Sequence, residues 1–181
     1  MKYKIGVIGS ARGTPSDELL SRVRRIGEEL VAHDCYILTG GTTGLSYEVV
    51  KAAKQKGGFT IGVSPAENED QHENRYKFPT DNFDLMVYTG FGLKGRNVVM
   101  VRSSDGVIAL SGGTGTLNEF TIAYDERKPI GILKKSDGLP EKVVPFIDAN
   151  YKKGGKVFLQ YNPKKLVEEL LKNLRPRLIS L

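Results

Sequence analysis

Residues 109–119 have the sequence Ala109-Leu110-Ser111-Gly112-Gly113-Thr114-Gly115-Thr116-Leu117-Asn118-Glu119, in which a glycine-rich turn joins a short apolar strand to a helix. Glycines let the backbone approach a ligand closely, and the first N–H groups of the following helix have no intrahelical acceptor. Because the helix dipole also favours negative charge there, the turn is suited to phosphate. The candidate phosphate-binding residues of this turn are Gly112, Gly113, Thr114, Gly115 and Thr116.

A carboxylate lies close to this predicted phosphate site. Glu119 follows Thr116 by three residues, so both side chains fall on the same face of the helix. A glutamate carboxylate beside a phosphate is repelled by its charge, so its presence there suggests a role in catalysis or ribose binding. The alternative is a helix-face carboxylate that interacts with the helix dipole.

The rest of the chain alternates short β-rich apolar runs with amphipathic helical patterns, which is typical of βαβ units and a parallel sheet. Predicted strands are Ile5–Ile8, Tyr36–Leu38, Thr60–Val63, Asp84–Tyr88, Gly106–Leu110, Pro129–Leu133 and Val157–Leu159. Predicted helices are Leu19–Val31 with Ser16 as N-cap, Leu45–Lys56, Arg96–Arg102, Thr116–Glu126, Val143–Ala149 and Pro163–Leu174. The predicted fold class is α/β, a Rossmann-like, doubly wound, mostly parallel sheet with helices on both faces.

The chain has neither a linker nor a repeat of domain size. We therefore expect residues 1–181 to form a single Rossmann-like nucleotide-binding domain with a short C-terminal helical extension. Residues Ala66–Phe83 interrupt the alternation with a polar, acidic sequence that has no period, which predicts a long loop. A lid over a ligand and a solvated excursion are equally good interpretations of it.

Composition places the chain among ordinary globular proteins, with 39% hydrophobic and 27% charged residues. A net charge of +6 raises the odds of a phosphorylated partner, although the basic residues are spread along the sequence. The single cysteine, Cys35, precedes a predicted strand and is expected in the core. We expect a cytoplasmic protein with no membrane partner, because the apolar runs are too short for a signal peptide or a membrane span.

A second turn, Leu38-Thr39-Gly40-Gly41-Thr42-Thr43-Gly44, resembles the first and also lies between a strand and a helix. In a parallel sheet such turns share one edge, where ligands bind at the topological switch point. Two such turns could hold different parts of one ligand. This adds as candidate nucleotide-binding residues Gly40, Gly41, Thr42 and Gly44, together with Gly9 and Ser10 after the first strand.

Several familiar sites are excluded or weakened. No Walker A motif occurs, and a dinucleotide-binding pattern that starts at Gly113 has Asn118 in place of its third glycine. Neither His33 nor His72 has a partner at ligand spacing, so no metal site is predicted.

Arg96 is the remaining candidate. It stands at the start of a predicted helix that follows a strand, so it should face the same edge of the sheet as the glycine-rich turns. An arginine there can bind a phosphate or carboxylate through two parallel hydrogen bonds.

Together these motifs resemble the Lonely-guy (LOG), or lysine-decarboxylase-like, superfamily and its molybdenum-cofactor carrier branch. Over Lys4–Leu133, the chain matches the superfamily signature P-G-G-x-G-T-x-x-E at Ser111–Glu119 except for the first residue, and its G-G-x-x-G turn at Gly40–Gly44. Arg96 corresponds to the superfamily's arginine. Hydrolase members usually have Glu before and Lys after it, whereas Gly95-Arg96-Asn97 resembles the carrier branch.

The resemblance implies hydrolysis of a nucleoside 5′-monophosphate to free base and ribose 5-phosphate. Glu119 would stabilise the positive charge on the sugar and orient water, and Arg96 would clamp the nucleotide; both are candidate catalytic residues, while Asn97 would contact the nucleotide. No cofactor is required. The alternative is a non-catalytic carrier that binds a nucleotide or the molybdenum cofactor.

The resemblance also implies a homodimer or higher homo-oligomer, with Arg96–Arg102 and Thr116–Glu126 as candidate surfaces. Single-stranded nucleic acid is an unlikely partner, because the basic residues do not alternate with aromatic ones and the chain has no Trp.

Overall fold

The computed structural model describes residues 2–11, 13–150 and 154–176. Within them the strands are β1 Lys4–Gly9, β2 Tyr36–Thr39, β3 Thr60–Ser64, β4 Leu85–Tyr88, β5 Gly106–Leu110, β6 Ile130–Leu133 and β7 Val157–Gln160. The α-helices are α1 Asp17–Ala32, α2 Leu45–Gln55, α3 Gly92–Ser103, α4 Thr114–Asp125, α5 Leu139–Asn150 and α6 Pro163–Lys172. Every strand and helix predicted from the sequence is present.

The strands form one sheet in the order β4-β3-β2-β1-β5-β6-β7. All six pairings are parallel, so the predicted mostly parallel sheet is parallel throughout the described residues. The strand order reverses between β1 and β5, where Ile5 pairs with Gly106 and Gly9 with Leu110. This switch point brings the turns after β1, β2 and β5 to one edge of the sheet.

Apolar side chains cover both faces of the sheet, which confirms the doubly wound, Rossmann-like α/β fold. Helices α1, α2 and α6 enclose one cluster of buried residues, and α3, α4 and α5 enclose the other. Strand β5 is buried along its whole length because both clusters pack against it. The sequence Gly-Val-Ile-Ala-Leu of this strand is therefore continuously apolar rather than alternating.

Helix ends follow the predicted chemistry. The Ser16 hydroxyl oxygen accepts a hydrogen bond from the Leu19 N–H at the start of α1, which confirms Ser16 as N-cap. Asn162 caps α6 in the same way, and Pro163 occupies its first turn. The apolar face of α6 is buried against α1 and β6.

Two helices begin earlier than the sequence predicts. Helix α3 starts at Gly92 rather than Arg96, and α4 starts at Thr114 rather than Thr116. Because glycine has a low intrinsic helix propensity, Gly92, Gly95 and Gly115 made the first turns of these helices unpredictable from the sequence. The prediction that Arg96 stands at the start of its helix was therefore wrong. Arg96 lies one turn inside α3, where its side chain can be buried.

The segment between β3 and β4 is more ordered than the predicted long loop. Gln71–Arg75 form a short π-helical segment, and His72 is completely buried. Its Nε2 donates to the Pro79 carbonyl (3.0 Å), so its Nδ1 accepts from the Ser64 hydroxyl (2.7 Å). The acidic, aperiodic sequence gives no sign that His72 is buried. Its hydrogen bond to Ser64 joins the segment to the end of β3.

Two smaller observations complete the fold. Cys35 is buried as expected, and burial raises the pKa of its thiol to about 11, so the thiol is protonated at neutral pH. In the described ranges, none of the helices combines the length and the apolar character that crossing a bilayer requires.

Candidate functional site

The turn from β5 into α4 has the conformation of an open anion-binding cradle. Ser111 and Gly112 both have left-handed backbones, with φ of 57° and 108°. A Cβ on Gly112 would lie 2.2 Å from Thr116 Oγ1, so only glycine leaves room for the buried Thr116 side chain. A Cβ on Gly113 would meet no atom within 4 Å, so the space beside Gly113 is open.

Helix α4 leaves its first N–H groups available at this turn. Its N-cap, Gly113, has no side chain to accept from them, and its first turn contains no acidic residue. Because Leu117 N–H donates to the Gly113 carbonyl (2.9 Å), the preceding N–H groups of Thr114, Gly115 and Thr116 have no intrahelical acceptor.

The turn between β6 and α5 braces the cradle from outside. Ser136 Oγ accepts from the Ser111 N–H (2.9 Å), and the Gly112 carbonyl accepts from the Leu139 N–H (2.8 Å). A Cβ on Gly138 would come within 2.3 Å of the Ser111 carbonyl carbon, so the two turns are in close backbone contact.

Arg96 and Glu119 form a buried ion pair between α3 and α4. Arg96 Nη1 donates to Glu119 Oε1 at 3.0 Å, and each residue is only 7% exposed. The guanidinium lies directly against Gly40, where a Cβ would be 2.0 Å from Nη1. Arg96 Nε is buried without a hydrogen-bond partner among the described residues. We call the space bounded by Gly40, the Arg96–Glu119 pair and the first turn of α4 the α3–α4 cleft.

Burial dominates the electrostatics of this pair. It raises the pKa of Glu119 above its usual range, against the opposing effects of the positive charges on Arg96 and Lys94. Burial also lowers the pKa of Arg96, although Glu119 opposes this, and the guanidinium remains protonated near neutral pH. A buried carboxylate with a raised pKa and a cation beside it marks a candidate functional site.

Asn97 supports Glu119 from the adjacent position on α3. Its amide contacts the Asn118 side chain at 2.8 Å. In the orientation that satisfies both ends of the amide, its nitrogen donates to the Leu93 carbonyl (3.0 Å) and to Glu119 Oε1 (3.2 Å). The hydrogen bonds among the described residues thus engage Oε1 and leave Oε2 unengaged.

The turn after β2 contributes to the cleft through Gly40. Gly41 has a left-handed backbone (φ 62°), and its N–H donates to Thr39 Oγ1 (3.2 Å), which fixes the turn. Thr42 is buried, and its hydroxyl donates to the Thr43 carbonyl (3.3 Å). Gly44, with φ of 89°, would place a Cβ 2.1 Å from the Ser10 carbonyl oxygen.

Gly9 and Ser10 lie toward the other face of the sheet. The Ser10 N–H donates to the Leu110 carbonyl (3.3 Å), and the Ser10 carbonyl accepts from the Leu45 N–H (2.9 Å). Ser10, Gly44 and Ser111 line a cavity of about 570 Å³, which extends to the start of α1 and to the β6–α5 turn. Arg96 and Glu119 do not line this cavity, so it is separate from their ion pair.

Two residues near the cleft were not predicted from the sequence as site residues. Lys94, in the first turn of α3, places Nζ 3.7 Å from where a Cβ on Gly115 would lie. Ser136 belongs to a turn that is distant in sequence from residues 109–119. The spacing of Lys94 from Arg96 could have suggested a second cation at the cleft, but only with the start of α3 correctly placed.

Both histidines of the chain have structural partners. His33 Nδ1 pairs with the Glu29 carbonyl (2.9 Å), and His72 pairs with Ser64 and Pro79 as described above. Across the part of the chain that the structure describes, no three His, Cys, Asp or Glu residues come together as a metal-binding group would.

Comparisons with known proteins place this geometry in a family. A model of the SLOG cluster4 family matches residues 2–167. Cytokinin riboside 5′-monophosphate phosphoribohydrolase LOG4 of Arabidopsis thaliana is 30% identical over 190 residues, covering 96% of this chain and 83% of that protein. A rice relative (Oryza sativa subsp. japonica), the probable cytokinin riboside 5′-monophosphate phosphoribohydrolase LOGL9, is 34% identical over 130 residues, covering 68% of this chain and 54% of that protein.

A solved structure shows the same architecture. The molybdenum cofactor binding protein of the phototrophic bacterium Rippkaea orientalis superposes with a TM-score of 0.77 at 29% identity, covering 95% of this chain and 96% of that one. On the family model and these likenesses, the chain belongs to the SLOG cluster4 family.

Proposed function

We propose that this protein binds a nucleoside 5′-monophosphate in the α3–α4 cleft and hydrolyses its N-glycosidic bond. The buried Arg96–Glu119 pair carries this proposal, because it places a carboxylate with a raised pKa beside a helix N-terminus that is open to phosphate. The LOG relatives support the reaction class.

The first turn of α4 would bind the 5′-phosphate. The free N–H groups of Thr114, Gly115 and Thr116 supply hydrogen-bond donors, and the helix dipole adds favourable electrostatics. The sugar would then lie toward Glu119, which is about one helical turn further along α4.

Glu119 would act on the sugar carbon. As the C1′–N bond breaks, positive charge develops on the sugar, and a nearby carboxylate stabilises it. Oε2, which the described residues leave free, can accept a proton from water as the water oxygen bonds to C1′. The bond electrons leave with the base, which takes up the proton that water gave to Glu119, and the products are free base and ribose 5-phosphate.

Arg96 and Asn97 would keep this carboxylate in place. Both donate to Oε1, so the carboxylate cannot rotate without losing two hydrogen bonds. Asn97 is thereby a positioning residue, although its sequence position suggested direct contact with the nucleotide. Arg96 Nε, buried and unpaired among the described atoms, adds a donor that the protein itself does not satisfy.

Release of adenine from AMP, followed by chromatography, tests this proposal. The wild type should release adenine and ribose 5-phosphate, and Glu119→Gln should be at least about 100-fold slower, because proton-transfer catalysis by one side chain typically contributes that much. Glu126→Gln, at the C-terminal end of the same helix and away from the cleft, is the matched control and should retain full activity. Equal activity in Glu119→Gln and the wild type would contradict the mechanism.

A second candidate function is a carrier that holds its ligand without cleaving it. Asn97 after Arg96 favours it, since this pair resembles the carrier branch, and so does the likeness to the Rippkaea orientalis molybdenum cofactor binding protein. Such a ligand, a nucleotide or the phosphorylated pterin of the molybdenum cofactor, would use the same phosphate cradle. AMP that stays bound and intact for hours with purified protein would favour the carrier over the hydrolase.

A further inference from the structure

Lys94 is a cation that no described residue neutralises. It lies in the first turn of α3, is exposed, and makes no hydrogen bond or ion pair with any residue in the described ranges. By contrast, the cations Arg24, Lys54 and Arg102 are each paired with a carboxylate. Unpaired lysines are common on protein surfaces, so a functional role for Lys94 has to be argued from its position.

That position is electrostatically unfavourable in the free protein. The N-terminal end of a helix carries partial positive charge, so a lysine in the first turn is repelled, whereas aspartate or glutamate is favoured. Helix α1 follows the favourable pattern, with a serine cap and Asp17 and Glu18 in its first turn. Helix α3 has no side-chain cap and no acidic residue there, and its only first-turn charge is Lys94.

Lys94 also reaches toward the neighbouring helix N-terminus. Its Nζ would be 3.7 Å from a Cβ on Gly115, in the first turn of α4, which is an ordinary van der Waals distance. The positive charge is near enough to Glu119 to oppose the effect of burial on its pKa. The Lys94 ammonium group therefore lies beside the first turn of α4.

The charges around the cleft do not balance without a ligand. Arg96 and Lys94 contribute two positive charges, Glu119 contributes one negative charge, and the N-termini of α3 and α4 add partial positive charge. Such an excess suits a ligand with two negative charges, as a phosphate monoester has at neutral pH.

We propose that Lys94 binds the phosphate group of the ligand and selects phosphomonoesters by their charge. The inference rests on the proposed function for the placement of the phosphate, but not on cleavage of the glycosidic bond. Lys94 closes the phosphate cradle from the α3 side, opposite the N–H groups of α4.

Calorimetric titration with inorganic phosphate and with AMP tests this inference. Lys94→Met should weaken both affinities about tenfold, which corresponds to the loss of one charge-assisted contact of about 1.4 kcal/mol. Lys94→Arg should retain most of the affinity because it keeps the charge. Lys56→Met is the matched control, since it removes one positive charge at the exposed end of α2, away from the cleft.

The outcomes separate this inference from the proposed function. Phosphate affinity that is unchanged in Lys94→Met, equally reduced in Lys56→Met, or absent from the wild type would overturn the role of Lys94. Lys94-dependent phosphate binding without release of adenine would support the role of Lys94 and contradict the hydrolase. If adenine is released, Lys94→Met should raise KM for AMP with little change in kcat, because the contact is the same in ground and transition states.

Discussion

At the scale of single residues, the Arg96–Glu119 pair is the costliest feature of the cleft. Removing two charges from water is unfavourable, and their attraction offsets this only when the geometry is good. Here one hydrogen bond of 3.0 Å joins the charges, and Arg96 Nε is left unpaired among the described atoms. Such an arrangement is better explained by the needs of a ligand than by those of the fold.

The pair should be strongly coupled in stability. Arg96→Gln leaves the Glu119 carboxylate buried without its cation and should lower the free energy of unfolding at neutral pH by about 3 kcal/mol or more, whereas Arg96→Gln/Glu119→Gln should recover part of that loss. Urea unfolding of the double-mutant cycle measures this. Arg102 and Glu126, an exposed pair between the same two helices, supply the control cycle, with a coupling expected below about 1 kcal/mol. Coupling as weak in the buried pair would refute this account of the cleft.

Glu119 should also set the pH dependence. Because burial raises its pKa, the folded protein binds this proton more tightly than the unfolded chain does. The free energy of unfolding should therefore decrease as pH rises from the ordinary glutamate pKa, about 4.3, to the raised value in the folded protein. Arg96 and Lys94, the charged groups that affect this carboxylate, limit the rise.

The same titration should appear in activity. Adenine release requires the carboxylate, so kcat/KM should fall as pH decreases through the raised pKa of Glu119. Lys94→Met should move this acid limb to still higher pH, because it removes a charge that favours the carboxylate. An acid limb at or below pH 4.3, the approximate ordinary value, would show that burial does not control Glu119.

At the scale of elements, the cleft depends on turns that hold one another. The β5–α4 turn contains left-handed Ser111, a conformation that is uncommon for a residue with a Cβ. Ser136, from the β6–α5 turn, supports this conformation by accepting a hydrogen bond from the Ser111 N–H.

Removing this brace should loosen the phosphate cradle. Ser136→Ala leaves the Ser111 N–H without its acceptor and should lower the free energy of unfolding by about 1–3 kcal/mol. It should also weaken phosphate binding, because the cradle is no longer held open. Urea unfolding and phosphate titration measure the two effects, with Ser21→Ala on the exposed face of α1 as control. An effect no larger than that of Ser21→Ala would show that Ser136 is not a brace.

The elements were predictable because each has a local signal. The buried run Gly106–Leu110 and the glycines after it are contiguous, so the strand, the turn and the helix after it could be predicted. The edge rule for parallel sheets then brought Arg96 and Glu119 together, which the structure confirms. The π-helical segment at Gln71–Arg75 depends instead on His72 reaching Ser64 and Pro79, which no local pattern shows.

Ser136 and Lys94 could not be predicted as site residues, because their roles, like that of His72, depend on contacts between elements that are distant in sequence. Ser136 and Lys94 act through contacts between elements, and neither contact has a period or a motif. The direct nucleotide contact expected of Asn97 remains a prediction, while the structure places its amide against Glu119.

At the scale of the whole molecule, edge strand β4 exposes apolar side chains to solvent. Leu85 and Val87 of edge strand β4 are 48% and 39% exposed, and nearby in the chain Phe91, Leu93 and Val98 are also exposed. Exposed edge strands with apolar side chains tend to be covered by a partner. This observation supports α3, rather than α4, among the two helices predicted to form an oligomer interface.

We therefore expect a homo-oligomer in solution. Light scattering at micromolar concentration should give at least twice the mass of the chain. Leu85→Lys/Val87→Lys should shift it toward the monomer, because lysines on an edge strand disfavour pairing. Exchanging exposed Lys77 and Lys156 for arginine is a control that should leave the mass unchanged. A wild type that is monomeric under these conditions would contradict the expectation.

The crystal structure of Glu119→Gln with AMP tests the central claim most directly, since the variant should bind the nucleotide without cleaving it. We predict phosphate oxygens about 3 Å from the N–H groups of Thr114, Gly115 and Thr116, with C1′ beside residue 119. AMP in the cavity beside Ser10, with the α3–α4 cleft free of nucleotide, would contradict the claim, as would crystals that bind no AMP.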